Sequence, residues 1–455
     1  MRPIIHIAFT IAFAGFSFAS RSDAPIAFDD LVKEGRAAFL ASDLDRAGSA
    51  YDRACPADSL GSLPVARAVM CENLLASVDE ARGNLARAEQ RYLHAVTSAD
   101  QAGSAYRPLY CARLIDLGEH YRRQGQFSLA EATLVKALEI ARQVVNAKPD
   151  LLHEALIRLG GLYSRSAQPE RGRAPLTEAL TSANPDEDTQ TAALPTTVPP
   201  TEVAYARDSM GIIELAAGNL NAAEAELRAS ADLAARTVGE DHPVTARYQT
   251  DLALALLVRG RYSAADLLLR RVRFVMESQP RPSLSELAAV FSELSAANAG
   301  EGKMAQAEEF AQHAITLLER LPQRDERVLA MAQITLAAAR IGAHDAAAAE
   351  LVLPGAVAAL RTMPANPNTV ASAVALLGRL REQQQNWRAA EALYREALDI
   401  YAKQGSGDSS PVVVPILRAL ANTLRHERAS KQEIRELEAR ARNILRASAN
   451  PPPRG

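Results

Sequence analysis

The sequence predicts an all-α chain, an α-solenoid of about ten helical hairpins, on three observations. From Phe28 to about Arg446 it is a succession of amphipathic patterns of roughly 14 to 18 residues, joined by short turns containing Gly, Asn or Asp, with no strand pattern between them. A small residue recurs through these patterns at nearly constant spacing. And 455 residues are too many for one compact core, because single cores stop growing near roughly 250 to 300 residues.

Arg2 precedes an uncharged stretch, Pro3 to Ser20, whose apolar part runs from Ile4 to Phe18. This has the form of a secretory signal over residues 1–19, with Ser17 and Ala19 as the small residues signal peptidase needs; Ser22 and Ala24 form a second such pair. The expected location is therefore outside the cytoplasm, periplasmic or extracellular. The alternative is an uncleaved inner-membrane anchor formed by residues 3–20, against which His6, Thr10 and Gly15 weigh. An oxidising compartment would permit a disulfide, and Cys55 with Cys71 is the favoured pair. Cys55 ends one predicted helix and Cys71 lies early in the next, so the chain turns back between them. The other reading leaves all three cysteines, Cys111 included, as small buried apolar side chains.

Taking the small residue of the first helix in each unit as an anchor gives Gly35, Ala76, Gly118, Gly160, Gly211, Ala253, Ser295, Ala337 and Gly378. A second small residue follows twelve positions later: Ala47, Ala88, Ala130, Gly172, Ala223, Ala265, Ala307, Ala349 and Ala390. Four further on, one helical turn along the same face, stand the large fillers Tyr51, Tyr92, Leu134, Leu176, Leu227, Leu269, Leu353 and Tyr394. The exception is Ala311, where Phe310 sits one residue early. The reason for the pattern is steric: two helices approach closely only where crossing side chains are small, and large neighbours fill what remains.

The anchors are 41 or 42 residues apart except between Gly160 and Gly211, which locates an insertion over 185–200 containing Pro185, Pro195, Pro199 and Pro200. Units 1–4 are thus expected over 28–184 and units 5–10 over 201–446, the last with Ala421 as its anchor and a charged outer helix suited to capping. Residues 447–455 are expected to be a disordered tail.

The runs Ala88-x3-Tyr92-x2-Ala95 and Ala390-x3-Tyr394-x2-Ala397 resemble the tetratricopeptide repeat. The long period, with Lys136-Ala-Leu-Glu-Ile140, Glu396-Ala-Leu-Asp-Ile400 and Gly239-Glu-Asp-His-Pro243, is similar to the variant found in kinesin light chains. That resemblance implies a right-handed superhelix whose first helices line a concave groove for a protein segment. By the same likeness the residues just past each anchor face the groove: Glu119, Arg122, Arg123 and Arg165 towards the amino end, and Ile212, Leu215, Leu254 and Leu257 in the middle. The alternative for the leucines is that they pack the next hairpin. The paired Lys and Asn of carboxylate-clamp repeats are missing from the corresponding stretches, which disfavours chaperone tails as ligands.

Chemistry is poorly represented. No phosphate-cradling Gly-rich loop, nucleophile elbow or paired Cys-x2-Cys is present, and neither His153-Glu154 nor His426-Glu427 is followed by His at the zinc-protease spacing. His242 has Glu240 and Asp241 beside it, but Asp241 and Pro243 read as an ordinary helix start. No catalytic residue, metal or cofactor is therefore expected. A net charge of -3 disfavours nucleic acid, which needs an excess of Lys and Arg. The sequence reads as a non-enzymatic scaffold for protein partners, touching membrane only if residues 3–20 are retained. The competing class is an enzyme with a site assembled across several units.

Overall fold

A computed structural model describes residues 25–41, 43–166, 168–183, 198–279, 282–321, 326–363, 367–403, 411–427 and 430–449. The expected signal segment lies outside these residues. The first six helices are α1 (Pro25–Leu40), α2 (Leu44–Ala54), α3 (Val65–Ala81), α4 (Leu85–Gln101), α5 (Arg107–Arg123) and α6 (Phe127–Val144). They are followed by α7 (Pro149–Ser164), α8 (Arg173–Ala183), α9 (Pro200–Ala216), α10 (Leu220–Val238), α11 (Pro243–Val258) and α12 (Tyr262–Glu277). The remainder are α13 (Leu284–Gly300), α14 (Met304–Glu319), α15 (Glu326–Gly342), α16 (Ala346–Glu350), α17 (Leu353–Thr362), α18 (Pro367–Gln383), α19 (Trp387–Lys403), α20 (Val414–His426) and α21 (Lys431–Ala449). Among the described residues there is no strand, and no helix is long and apolar enough to cross a membrane. The fold is an all-α solenoid of successive hairpins.

Each hairpin is closed by the side chains the repeat places there. All eight fillers are buried. A Cβ on Gly118 would stand 2.6 Å from Leu134 Cγ, one on Gly211 2.5 Å from Leu227 Cγ, and one on Gly378 2.8 Å from the Tyr394 ring. The filler therefore lies directly on the anchor, and the anchor is small because nothing else fits. In the exceptional unit the volumes are exchanged: Ser295 takes the anchor position, Ala311 stands where the filler would, and the Ser295 hydroxyl donates to the Ala307 carbonyl at 2.7 Å. Phe310 fills the space from the neighbouring position, its ring 6.1 Å from that of Phe291.

The turns repeat as well. Seven residues past the anchor the chain adopts positive φ: Gly83, Gly125, Gly218, Gly260 and Gly302, and also His344 (61°) and Gln385 (57°). The next residue's N–H donates five residues back, as Asn84 to Asp79, Gln126 to Tyr121 and Asn386 to Arg381. This closes the first helix in a Schellman arrangement. The same residue's carbonyl accepts from the second small residue, Ala88, Ala130 and Ala390 respectively, and opens the second helix. One residue ends one helix and starts the next, which makes the hairpin tight.

Adjacent hairpins are tied by a polar rung that recurs across the repeats. The residue three past an anchor donates to the acid thirteen past the previous anchor: Tyr121 to Glu89 (3.3 Å), Tyr163 to Glu131 (2.9 Å), Asn298 to Asp266 (2.8 Å), Arg340 to Glu308 (2.9 Å) and Arg381 to Glu350 (2.5 Å). The position is kept while the donor's chemistry changes.

Three differences from the sequence expectation are local. Pro199 and Pro200 do not belong to the insertion but start α9, with the Pro199 carbonyl accepting from Glu202 at 2.9 Å; proline at a first helical position lacks only an N–H that the first turn leaves unbonded. Residues 184–197 of the insertion lie outside the described residues. The second helix of the eighth unit is broken into α16 and α17, because Pro354 can neither donate to the preceding turn nor pack against it. Finally, α21 extends to Ala449, into the expected tail, whose remaining residues lie outside the described ones.

Cys55 and Cys71 are joined in a disulfide, with Cα atoms 5.6 Å apart, linking the end of α2 to α3. Cys111 is a buried thiol. The chain divides into two compact units, residues 2–166 with 171–209, and residues 210–455 with 167–170, the division falling inside α9.

Candidate functional site

In the first compact unit the first helices α3, α5, α7 and the start of α9 carry an unusual number of buried charges. Glu80, Arg113, His120, Arg158, Glu202 and Asp208 are each at most 6% exposed. Ionised side chains are rarely buried so fully unless paired, and these are paired, all but Arg113 across helices. Glu80 of α3 accepts two hydrogen bonds from Arg123 of α5 (2.8 and 2.6 Å), lies 3.0 Å from His120 Nδ1, and accepts from the Tyr92 hydroxyl of α4 at 3.2 Å. Burial alone would raise its pKa, but Arg123 and His120 outweigh it and hold the carboxylate at about 2. On α5, Arg113 pairs with Asp116 at 2.9 Å and Arg122 with Glu119 at 3.0 Å. Between α7 and α9, Arg158 pairs with Glu202 at 2.8 Å and Arg165 with Asp208 at 3.1 Å. The Arg158 guanidinium also lies 5.3 Å from the Tyr205 ring centre, whose hydroxyl end occupies the space left by Gly161.

The sequence-predicted face residues are therefore partly fixed. Glu119, Arg122 and Arg123 come together on α5, half-buried, with Arg123 also 3.9 Å from Glu119. Arg165 caps the end of α7 and joins it to α9 instead. Ile212 and Leu215 on α9, and Leu254 and Leu257 on α11, are half-buried in the second unit. There α13 adds Glu286 and Glu293, both raised in pKa by burial, the latter also by Asp251.

Glu80, Arg113, His120, Glu154, Arg158, Glu202 and Asp208 are missing from the sequence prediction. For Glu80, Arg158, Glu202 and Asp208 the signal was opposite charge about one repeat apart, since Arg123 pairs 43 residues back, Arg158 44 residues on and Arg165 43 residues on. Among the described residues no group of three or more His, Cys, Asp or Glu could hold a metal. His242, the polar loop candidate, accepts through Nδ1 from the Val244 N–H at 3.1 Å, the geometry of a helix cap.

Residues 68–143 and 202–277 match the family of the tetratricopeptide repeat. Among solved structures the chain is similar to BtubC (BKLC) from P. vanneervenii, at 20% identity over 52% of this chain and 95% of that one, with a TM-score of 0.39. It is similar to a tetratricopeptide repeat protein from Parabacteroides merdae, at 15% identity over 68% and 99%, TM-score 0.41. A Rap protein complexed with Competence and Sporulation Factor is similar at 11% identity over 66% and 78%, TM-score 0.47. No curated protein matches the sequence. The two matched segments span α3 to α6 and α9 to α12, and the same anchor, turn and filler geometry runs through hairpins outside them. Residues 68–143 and 202–277 thus carry tetratricopeptide repeats, in units about 42 residues long.

Proposed function

We propose that this protein is an exported, non-enzymatic scaffold that holds a peptide or helix of a partner protein in the groove lined by its first helices. The observation that carries the reading is the set of charged side chains on α3, α5, α7 and α9, held in place by ion pairs between successive first helices. Side chains already fixed lose little rotamer entropy when a ligand arrives, so such a face is prepared for recognition. Half-buried Leu254 and Leu257 would supply apolar area of the kind that anchors an interface. Export is supported by the form of residues 1–19 and by the Cys55–Cys71 bridge, since disulfides persist mainly in oxidising compartments.

The test is to express the tagged full-length chain in its native host, fractionate the cells, crosslink, and identify both the amino terminus and the companions. The reading expects a mature start at Ser20 outside the cytoplasm and one reproducible protein companion, lost from a folded Leu257→Asp variant. Intact Met1 in a membrane fraction would instead make residues 3–20 an anchor. A folded Leu257→Asp chain that keeps its companion would contradict the groove.

A further inference from the structure

Glu154 stands apart from the other charges of the first unit. It lies on α7, half-buried, one helical turn before Arg158, and after Arg158 the charged groups that act on it are Glu202 of α9 and Asp116 and Arg113 of α5. Both guanidiniums in that set have a nearer carboxylate: Arg158 is bound to Glu202 at 2.8 Å and Arg113 to Asp116 at 2.9 Å. Glu154 itself makes no hydrogen bond and no ion pair with any described residue. Its two neighbouring carboxylates repel a third negative charge, and Cys111, close enough for its thiol to be affected by Glu154, is pushed up to about 12 chiefly by burial. The site thus holds two ion pairs and one carboxyl that neither pair engages directly.

We propose that Glu154 is the seat for a basic side chain, Lys or Arg, of the protein segment bound along this face. An incoming cation would complete a third pair beside the two already formed, and its stem could lie along the half-buried surface around α7. An acidic ligand side chain there would meet Asp116, Glu202 and Glu154 together, so the same arrangement selects against the opposite charge. In the free protein the seat is held by a proton instead: burial, with help from Glu202 and Asp116 and against the pull of Arg158, raises the Glu154 carboxyl to about 8. Binding a cation therefore releases that proton, and affinity rises with pH until the free carboxyl is ionised. This inference rests on the groove reading and gives its ligand a chemistry.

The experiment is selection of a randomised dodecapeptide display library on the immobilised full-length protein at pH 7, followed by calorimetry with synthetic winners. Enriched peptides should share a Lys or Arg at one register. Replacing that residue by Gln should weaken binding to the wild type about tenfold or more and change binding to a Glu154→Gln variant little. Wild-type affinity should rise by up to about tenfold per unit between pH 6 and pH 8, with proton release seen by comparing buffers, and Glu154→Gln should flatten both. Because that variant replaces a carboxyl already neutral at pH 7 with a neutral amide of equal size, it should fold; a thermal melt checks this. Enriched peptides without a basic position, or bound equally by folded Glu154→Gln, would overturn this inference alone. No enriched peptide at all would remove the groove reading and the inference with it.

Discussion

At the scale of single residues, two kinds of position govern this chain. The first is the left-handed residue seven past the anchor in seven of the hairpins, which glycine occupies without cost and other residues at about 1 to 2 kcal/mol. Gln385, at φ 57°, carries that cost in the ninth hairpin. Gln385→Gly should raise stability by about 1 kcal/mol in thermal or urea unfolding, and an unchanged or lower stability would show that Gln385 is not strained. The second is Glu80, whose carboxylate joins α3, α4 and α5. Glu80→Gln removes the charge that satisfies Arg123 and should cost about 2 to 3 kcal/mol at pH 7. The folded-state pKa is lowered, so the stability it confers is complete above the ordinary value of 4.5 and disappears as pH falls towards about 2. The difference between wild type and variant, followed by unfolding against pH, should shrink across that window.

Elements are set by the contact between anchor and filler. A methyl group on Gly118 would meet Leu134 at 2.6 Å, so Gly118→Ala should destabilise by about 1 to 3 kcal/mol, as overpacking of a tight core does. In a Leu134→Ala background the same Gly118→Ala change should cost less, read as coupling in a double-mutant cycle of unfolding, if contact with Leu134 is its cause. These positions were legible in the sequence because steric demand permits few residue types, and so Gly118 and Leu134 recur in kind in every anchored unit but the one with Ser295 and Ala311. The rungs between hairpins were hidden for the opposite reason. Tyr163, Asn298 and Arg340 can all donate to an acid from the same place, so the position repeats but the letter does not. The turn lay between these cases: Gly83 and Gly125 show it, whereas His344 and Gln385 conceal it.

For the whole molecule, near-constant spacing of the anchors gave the all-α solenoid from sequence, because each hairpin packs chiefly on its neighbours and local periodicity is then sufficient. The candidate face was legible only in part. Being past an anchor marked Glu119, Arg122 and Arg123, but Glu80, Arg158 and Glu202 are buried by helices some forty residues away, and no local pattern reveals which charges those helices cover. The central claim is that the face of the first helices, not the outer face of the second helices, receives a partner. A photo-crosslinking amino acid placed at Arg122 or Leu254 tests it against one placed at Leu267 or Phe274, which are 74% and 70% exposed on α12. The account predicts a discrete adduct in the native host from Arg122 and Leu254 and none from Leu267 and Phe274. Adducts from the α12 positions alone would contradict it.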